Sequence, residues 1–431
     1  DLASLTLRKT SVGGTGGAFG FALTNTAQTT GSITTTAAGT PQQVDGDTAA
    51  GGTQPYMVNT ANGTTAITIN ENSLPSGWTL TGATCTNAAG STVGSLSGST
   101  YTIPAASVTS GEAFTCTFTN TKSPTLQLAK AWGANSSASD SATIAATTGG
   151  SNNTSPFTVA GGTAGNSGTA VNILVGNTIT LPAETGTNIG NYTTVLSCLA
   201  GGGATANALS GTNGQVSNTL VIGAGDSGKA IVCTYTNTRK TTTITLKKAW
   251  STAAVNDTAS VLLKRGAATV DTLASTANTT TETDTDVTPF TANVGETLNL
   301  SETLGGANAG QYTATLACDN SVTVGGTGDF VVPATATNCT VTNTRQTATL
   351  QIAKAWSGTS PATDSATIGV TTGGLNNTTS FTTAGGTSAN SGTAVTVAVG
   401  NTITFPAETG TNIGNYTTVL SCLAGGGATA N

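Results

Sequence analysis

Three residue types recur along this chain at separations that variable loops would not preserve. The lysines are Lys9, Lys130, Lys248 and Lys354, the glutamates Glu71, Glu184, Glu302 and Glu408, and the asparagines Asn120, Asn237 and Asn343. Lysine and glutamate stand 62 residues apart in the first set and 54 apart in the other three, and each asparagine follows a cysteine by 4. The chemistry open to such a set is amide transfer. Desolvation disfavours the charged form of a lysine and of a carboxylate alike. A neutral amine is a nucleophile, and a protonated glutamate can hydrogen-bond to a carboxamide and polarise it. The amine would attack the carboxamide carbon, the glutamate would relay protons, and ammonia would leave. The product is a Lys–Asn isopeptide bond, made once by the folded chain and not turned over. Two non-covalent readings fit the same spacing: a buried Lys–Glu ion pair capped by the amide, or a lysine with its stem on the core and its ammonium in water.

Any of these needs strands with a defined inner face. Successive side chains of a strand point to opposite sides. Leu5, Leu7 and Lys9 therefore share a face, as do Leu126, Leu128 and Lys130, and Ile244, Leu246 and Lys248. Cys116, Phe118 and Asn120 share another, as do Cys233, Tyr235 and Asn237. Lysine and asparagine are thus expected to point inward. Glu71 is in phase with Ile67 and Ile69, and Glu302 with Leu298 and Leu300. Before Glu184 and Glu408 a Pro-Ala pair breaks the phase, which predicts a bulge. Trp132, Trp250 and Trp356 lie two residues past their lysines, where an indole would exclude water; Ser11 stands there in the first set, with Trp78 as a substitute.

The strands belong to repeats. CTFTNTKSPTLQLAKAW from Cys116 returns from Cys233 and again from Cys339, each time as two alternating runs around a polar joint. Internal self-similarity of this kind marks a tandem array. The expected domains are residues 1–124, 125–242, 243–348 and 349–431. Repeats two and four are near copies offset by 224 residues, and 182–207 is identical to 406–431. The sequence stops before a last strand for repeat four, which leaves Cys422 without a partner. Continuation in a longer array, or a strand supplied by another molecule, is the expectation. Short alternating runs such as AITIN, NTLVI and TLNLSE, separated by Gly, Asn, Thr and Ser, predict an all-β chain. About 100 residues per unit points to tandem antiparallel β-sandwiches of immunoglobulin-like class.

Composition narrows the function. Charged residues are 7%, but hydrophobic ones are 36% and alternate, so packed sandwiches are expected in place of disorder. A net charge of −6 gives no basic footprint for nucleic acid, and no run of about 20 apolar residues could span a membrane. The sequence opens at DLASLTLRKT, so any targeting segment has been removed or lies outside it. Taken in order the cysteines make the pairs Cys85–Cys116, Cys198–Cys233 and Cys318–Cys339; the economical reading is one disulfide per repeat in an oxidising compartment, the alternative being free buried thiols. The chain has 0 histidines, which removes Ser-His-Asp and Cys-His catalysis. Glu282, Asp284 and Asp286 alternate and could touch calcium, although a solvated strand face is the plainer reading. GGTGG lacks the strand, lysine and helix of a phosphate loop. No cofactor and no metal are expected.

ENSLPSGWTLTGATC (71–85), with LTLRKT before it and FTCTFTNT after it, resembles the prealbumin-like domains of bacterial surface proteins. These are the SpaA-type and collagen-adhesin B-type repeats, also found in pilins. The resemblance covers each unit and implies a sandwich in which a first-strand lysine joins a last-strand asparagine, assisted by a mid-domain glutamate. It implies secretion to the bacterial cell surface. The function expected is a structural extracellular fibre or stalk that associates with itself or continues in a longer array. The alternative is a cell-surface adhesin whose binding region lies outside this sequence.

Overall fold

The computed structural model describes residues 2–201, 207–208, 218–387 and 389–425; Asn431, the last residue assigned to repeat four, lies outside them. Regular structure among these residues is strand, relieved only by single-turn 3-10 helices. Two compact units are formed, residues 1–240 and 241–431.

In the first unit, Ser4–Val12 and Ala113–Lys122 are the central pair of a five-stranded sheet that continues to Trp78–Thr86. A second five-stranded sheet contains Gly16–Leu23, Ile67–Ser73 and Thr100–Ile103. Between them lie Leu5, Leu7, Phe19, Phe21, Ile67, Ile69 and Phe118, all buried. The alternation read from the sequence is the cause: one face of each strand is apolar, and burying both faces together removes the apolar area from water. Each large side chain so buried stabilises by about 1.5–3 kcal/mol. Residues 125–240 repeat the plan, with Thr125–Trp132 beside Ala230–Arg239, then Tyr192–Ala200, in a six-stranded sheet. In the second unit, Thr241–Ser251 lies beside Thr337–Arg345, which lies in turn beside Tyr312–Cys318, facing a four-stranded sheet that includes Thr258–Arg265 and Thr297–Leu304.

The chain forms the expected tandem sandwiches of antiparallel ladders, with one parallel pair in each complete repeat. The first and last strands of each complete repeat are parallel neighbours: Ser4–Val12 with Ala113–Lys122, Thr125–Trp132 with Ala230–Arg239, and Thr241–Ser251 with Thr337–Arg345. Parallel partners require a long crossover, and here the rest of the repeat is that crossover. The other ladders are antiparallel.

Candidate functional site

Register on the parallel pair brings lysine and asparagine together. Lys9 is opposite Phe118 and Ser11 opposite Asn120; Lys130 is opposite Tyr235 and Trp132 opposite Asn237; Lys248 is opposite Val341 and Trp250 opposite Asn343. The asparagine is therefore always one pleat repeat beyond the lysine on the adjacent strand, on the same face. Diagonal neighbours of this kind lie about 7–8 Å apart, a gap that a long side chain can span. Lys9 and Lys248 are 0% exposed, Lys130 is 2% exposed, and all three asparagines are 0% exposed. The reading that leaves an ammonium in water is thereby overturned for these three lysines. At Lys354 the side chain is 11% exposed.

The glutamate closes the set from the facing sheet. In repeat one, Lys9 Nζ is 3.0 Å from Glu71 Oε1, and Asn120 Nδ2 donates to that same oxygen at 2.8 Å. In repeat three, Lys248 Nζ is 3.3 Å from Glu302 Oε1, and Asn343 Nδ2 donates to it at 3.0 Å. One carboxylate oxygen thus faces both prospective reactants. Asn120 Oδ1, Asn343 Oδ1 and Glu71 Oε2 have no hydrogen-bond partner. A buried polar atom left so costs about 1–3 kcal/mol.

Repeat two differs. The expected bulge before Glu184 is instead a strand end: Thr178–Leu181 stops, and the chain returns through an isolated bridge between Thr185 and Thr143. Proline at 182 has no N–H to give the ladder, which explains the stop. Gly186 follows at φ +149, and a Cβ there would collide with the Ser141 carbonyl, so the loop closes only with glycine. Lys130 Nζ still pairs with Glu184 Oε1 at 3.3 Å. Glu184 reaches the asparagine only through Thr194, whose hydroxyl is 3.0 Å from Glu184 Oε2 and 2.8 Å from Asn237 Oδ1. In repeat four, Lys354 Nζ meets Glu408 Oε1 and Oε2 at 2.9 Å each.

Burial sets the proton balance. Desolvation pushes the Lys9 ammonium down to about 8, against the opposing pull of Glu71, and does the same to Lys130, also to about 8. Lys248 is lowered by the same cause, with Glu302 and Asp284 resisting. Burial raises the Glu71 carboxyl, partly countered by Lys9 and Asn120. Lys130 Nζ also donates to the Ala131 and Tyr235 carbonyls, and Lys248 Nζ to those of Ala249 and Val341. Of the three acceptors around each nitrogen only the carboxylate is basic. A proton leaving the ammonium has one place to go, and its transfer yields the amine and the acid that amide transfer requires.

Aromatic rings floor each site. Lys130 and Lys248 lie 4.2 Å from the ring centres of Trp132 and Trp250, and Lys354 lies 4.7 Å from that of Trp356. In repeat one the floor is Phe19, at 4.8 Å, and Trp78, the substitute expected from the sequence, instead packs edge-on behind it. A supporting chain escaped the sequence reading. Each tryptophan meets a tyrosine edge-on, Trp132 with Tyr192, Trp250 with Tyr312 and Trp356 with Tyr416. Each tyrosine hydroxyl donates to an aspartate, Asp140, Asp257 and Asp364 in turn. The signal was available: tyrosine precedes the first cysteine of these repeats by 6 every time.

The cysteines join as expected, Cys85–Cys116, Cys198–Cys233 and Cys318–Cys339, each across directly opposed residues of the last strand and its antiparallel neighbour; Cys422 is free and exposed. Glu282, Asp284 and Asp286 spend oxygens internally, on the Asn278 N–H, the Ser275 hydroxyl and the Thr288 N–H. Ser275 in turn accepts from Trp250 Nε1, so Asp284 supports the lysine site. No group of three or more metal-ligating side chains occurs among the described residues. No described helix is long and apolar enough to cross a membrane.

Among solved structures, the Bacillus anthracis TIE protein aligns at 12% identity and TM-score 0.30, over 80% of this chain and 51% of that one, so this chain spans about half its length. A major pilin from Streptococcus pyogenes aligns at 12% identity and TM-score 0.19, over 55% and 97%. Two B repeat units of the Staphylococcus aureus collagen binding protein align at 12% identity and TM-score 0.21, over 92% and 93%. No curated protein matches the sequence. Residues 5–122 match the family described as the prealbumin-like fold domain. Within the first repeat, then, residues 5–122 resemble a prealbumin-like fold domain.

Proposed function

We propose that the chain is a tension-carrying stretch of an extracellular, cell-surface fibre or stalk, built of sandwich repeats at 1–124, 125–242, 243–348 and 349–431. Each complete repeat closes one Lys–Asn isopeptide bond, at Lys9–Asn120, Lys130–Asn237 and Lys248–Asn343. The observation that carries this reading is the single buried glutamate oxygen shared by lysine and asparagine in repeats one and three. In the reaction the Nζ–Cγ bond forms, the Cγ–Nδ2 bond breaks, and Nδ2 leaves as ammonia with a proton relayed from Nζ by the carboxyl. Disulfides in every complete repeat fit an oxidising, extracellular location.

The competing account is a stable Lys–Glu–Asn cluster without covalent change. A buried ion pair of that kind contributes little net stability, because desolvation offsets the attraction. Intact mass after reduction separates the two. Loss of three ammonia molecules from the full chain is expected, with cross-linked peptides at the three named pairs. A mass equal to that of the sequence would overturn the proposal.

A further inference from the structure

The site in repeat two poses a stoichiometric problem. Thr194 Oγ1 lies within hydrogen-bond distance of two acceptors, Glu184 Oε2 at 3.0 Å and Asn237 Oδ1 at 2.8 Å, yet a hydroxyl has one proton. Both contacts are satisfied at once when the carboxyl carries a proton on Oε2. Glu184 then donates to Thr194, and Thr194 donates to the asparagine carbonyl. Asn237 Nδ2, the nitrogen that must leave, is the atom left without a partner.

The placement of this threonine follows the geometry of its glutamate. Thr194 stands directly opposite Asn237; the same position is Leu80 opposite Asn120 and Ala314 opposite Asn343. In those two repeats the glutamate lies on a strand and touches the amide itself. Where the strand ends early at Leu181, a hydroxyl fills the gap. The sequence pairs the two features again at Thr418 and Glu408, in the stretch identical to 182–207.

We infer that Thr194 is a catalytic proton relay of repeat two, carrying the polarising hydrogen bond from Glu184 to the Asn237 carbonyl. The inference rests on the Lys130–Asn237 bond proposed above. As the Nζ lone pair forms the bond to Cγ, one Nζ proton passes to Glu184 Oε1. The Oε2 proton passes to Thr194, and the threonine's own proton passes to Oδ1, giving a neutral tetrahedral carbinol. In the collapse Oδ1 returns its proton through Thr194 to Oε2, Oε1 protonates Nδ2, and the Cγ–Nδ2 bond breaks. Ammonia leaves, and glutamate and threonine regain their starting forms.

The test uses the full chain, purified in denaturant before any link forms and then refolded, with each cross-linked peptide followed by mass over time. Thr194→Val keeps the shape and removes the hydroxyl; Thr194→Ser does the reverse. Val is expected to slow the Lys130–Asn237 link about 10²-fold, the lower range for a positioned proton donor, while Ser stays within a few-fold of the parent. The links at Asn120 and Asn343 are expected to keep their rates in both variants. Formation of Cys198–Cys233 reports that repeat two has folded. A parent rate in the folded Val variant overturns the relay, as does a Ser variant slower than Val, which would assign the effect to packing. Absence of every link in the parent chain instead sinks the covalent reading of the whole protein, so the two failures are distinct.

Discussion

The single lysine and its carboxylate carry one mobile proton between them when they react. With Lys9 held down to about 8 and Glu71 raised by burial, the reactive arrangement is neutral amine beside neutral acid. Below the Glu71 value both groups hold protons and the amine is blocked. Above about pH 8 the amine is free but the acid has lost its proton, and nothing polarises the carboxamide. The rate of Lys9–Asn120 linkage on refolding should therefore show a plateau ending near pH 8 on the alkaline side and falling again in acid. A rate that climbs steadily from pH 8 to 10 would refute the shared-proton account. Glu71→Gln should leave repeat one unlinked while repeats two and three lose their ammonia as before, read as one ammonia more in the intact mass. The same deficit in variant and parent would show that Glu71 plays no part.

Among strands, three constraints converge on the last one of repeats two and three: the lysine site on one side, the disulfide on the other, and the tyrosine–aspartate clamp near the end of its neighbour. The disulfides close loops of 31, 35 and 21 residues. Because loop entropy grows only with the logarithm of length, each should stabilise by a similar amount, about 3–4 kcal/mol. Reduction is expected to shift the denaturation midpoint of all three repeats comparably; a loss confined to the longest loop would contradict this. Tyr312→Phe removes the hydroxyl that Asp257 accepts and that takes the Ala254 N–H. It should cost about 1–3 kcal/mol, seen as faster amide exchange along Tyr312–Cys318, whereas unchanged protection would reduce the clamp to decoration. Period-two alternation was enough to turn Lys9, Lys130, Lys248 and their asparagines inward, since parity is a local property of a strand. It could not show that first and last strands run parallel, because pairing between segments some 110 residues apart leaves no mark on either. Nor could it show Phe19 beneath Lys9 or the hydroxyl of Thr194 beside Asn237. Those depend on which strands become neighbours, and on a proline ending one of them early.

At the scale of the whole chain, the proposed links turn each repeat into a short bridge. From Asn237 to Lys248 is 11 residues, roughly 36 Å when extended at about 3.3 Å each. From Lys9 to Asn120 is 111 residues, of which the 31 spanned by the disulfide are withheld in any case. A linked repeat one should release almost no length under force, and Glu71→Gln should release about 80 residues, near 260 Å. Equal extension of parent and variant in single-molecule pulling would remove the mechanical role. The parallel pairing of first and last strands has a further meaning. The polypeptide comes in at one pole of a repeat and goes out at the other, so a gene can lengthen the protein by copying a block, with no new turn to invent. The 224-residue offset between near-identical repeats is the imprint such copying leaves.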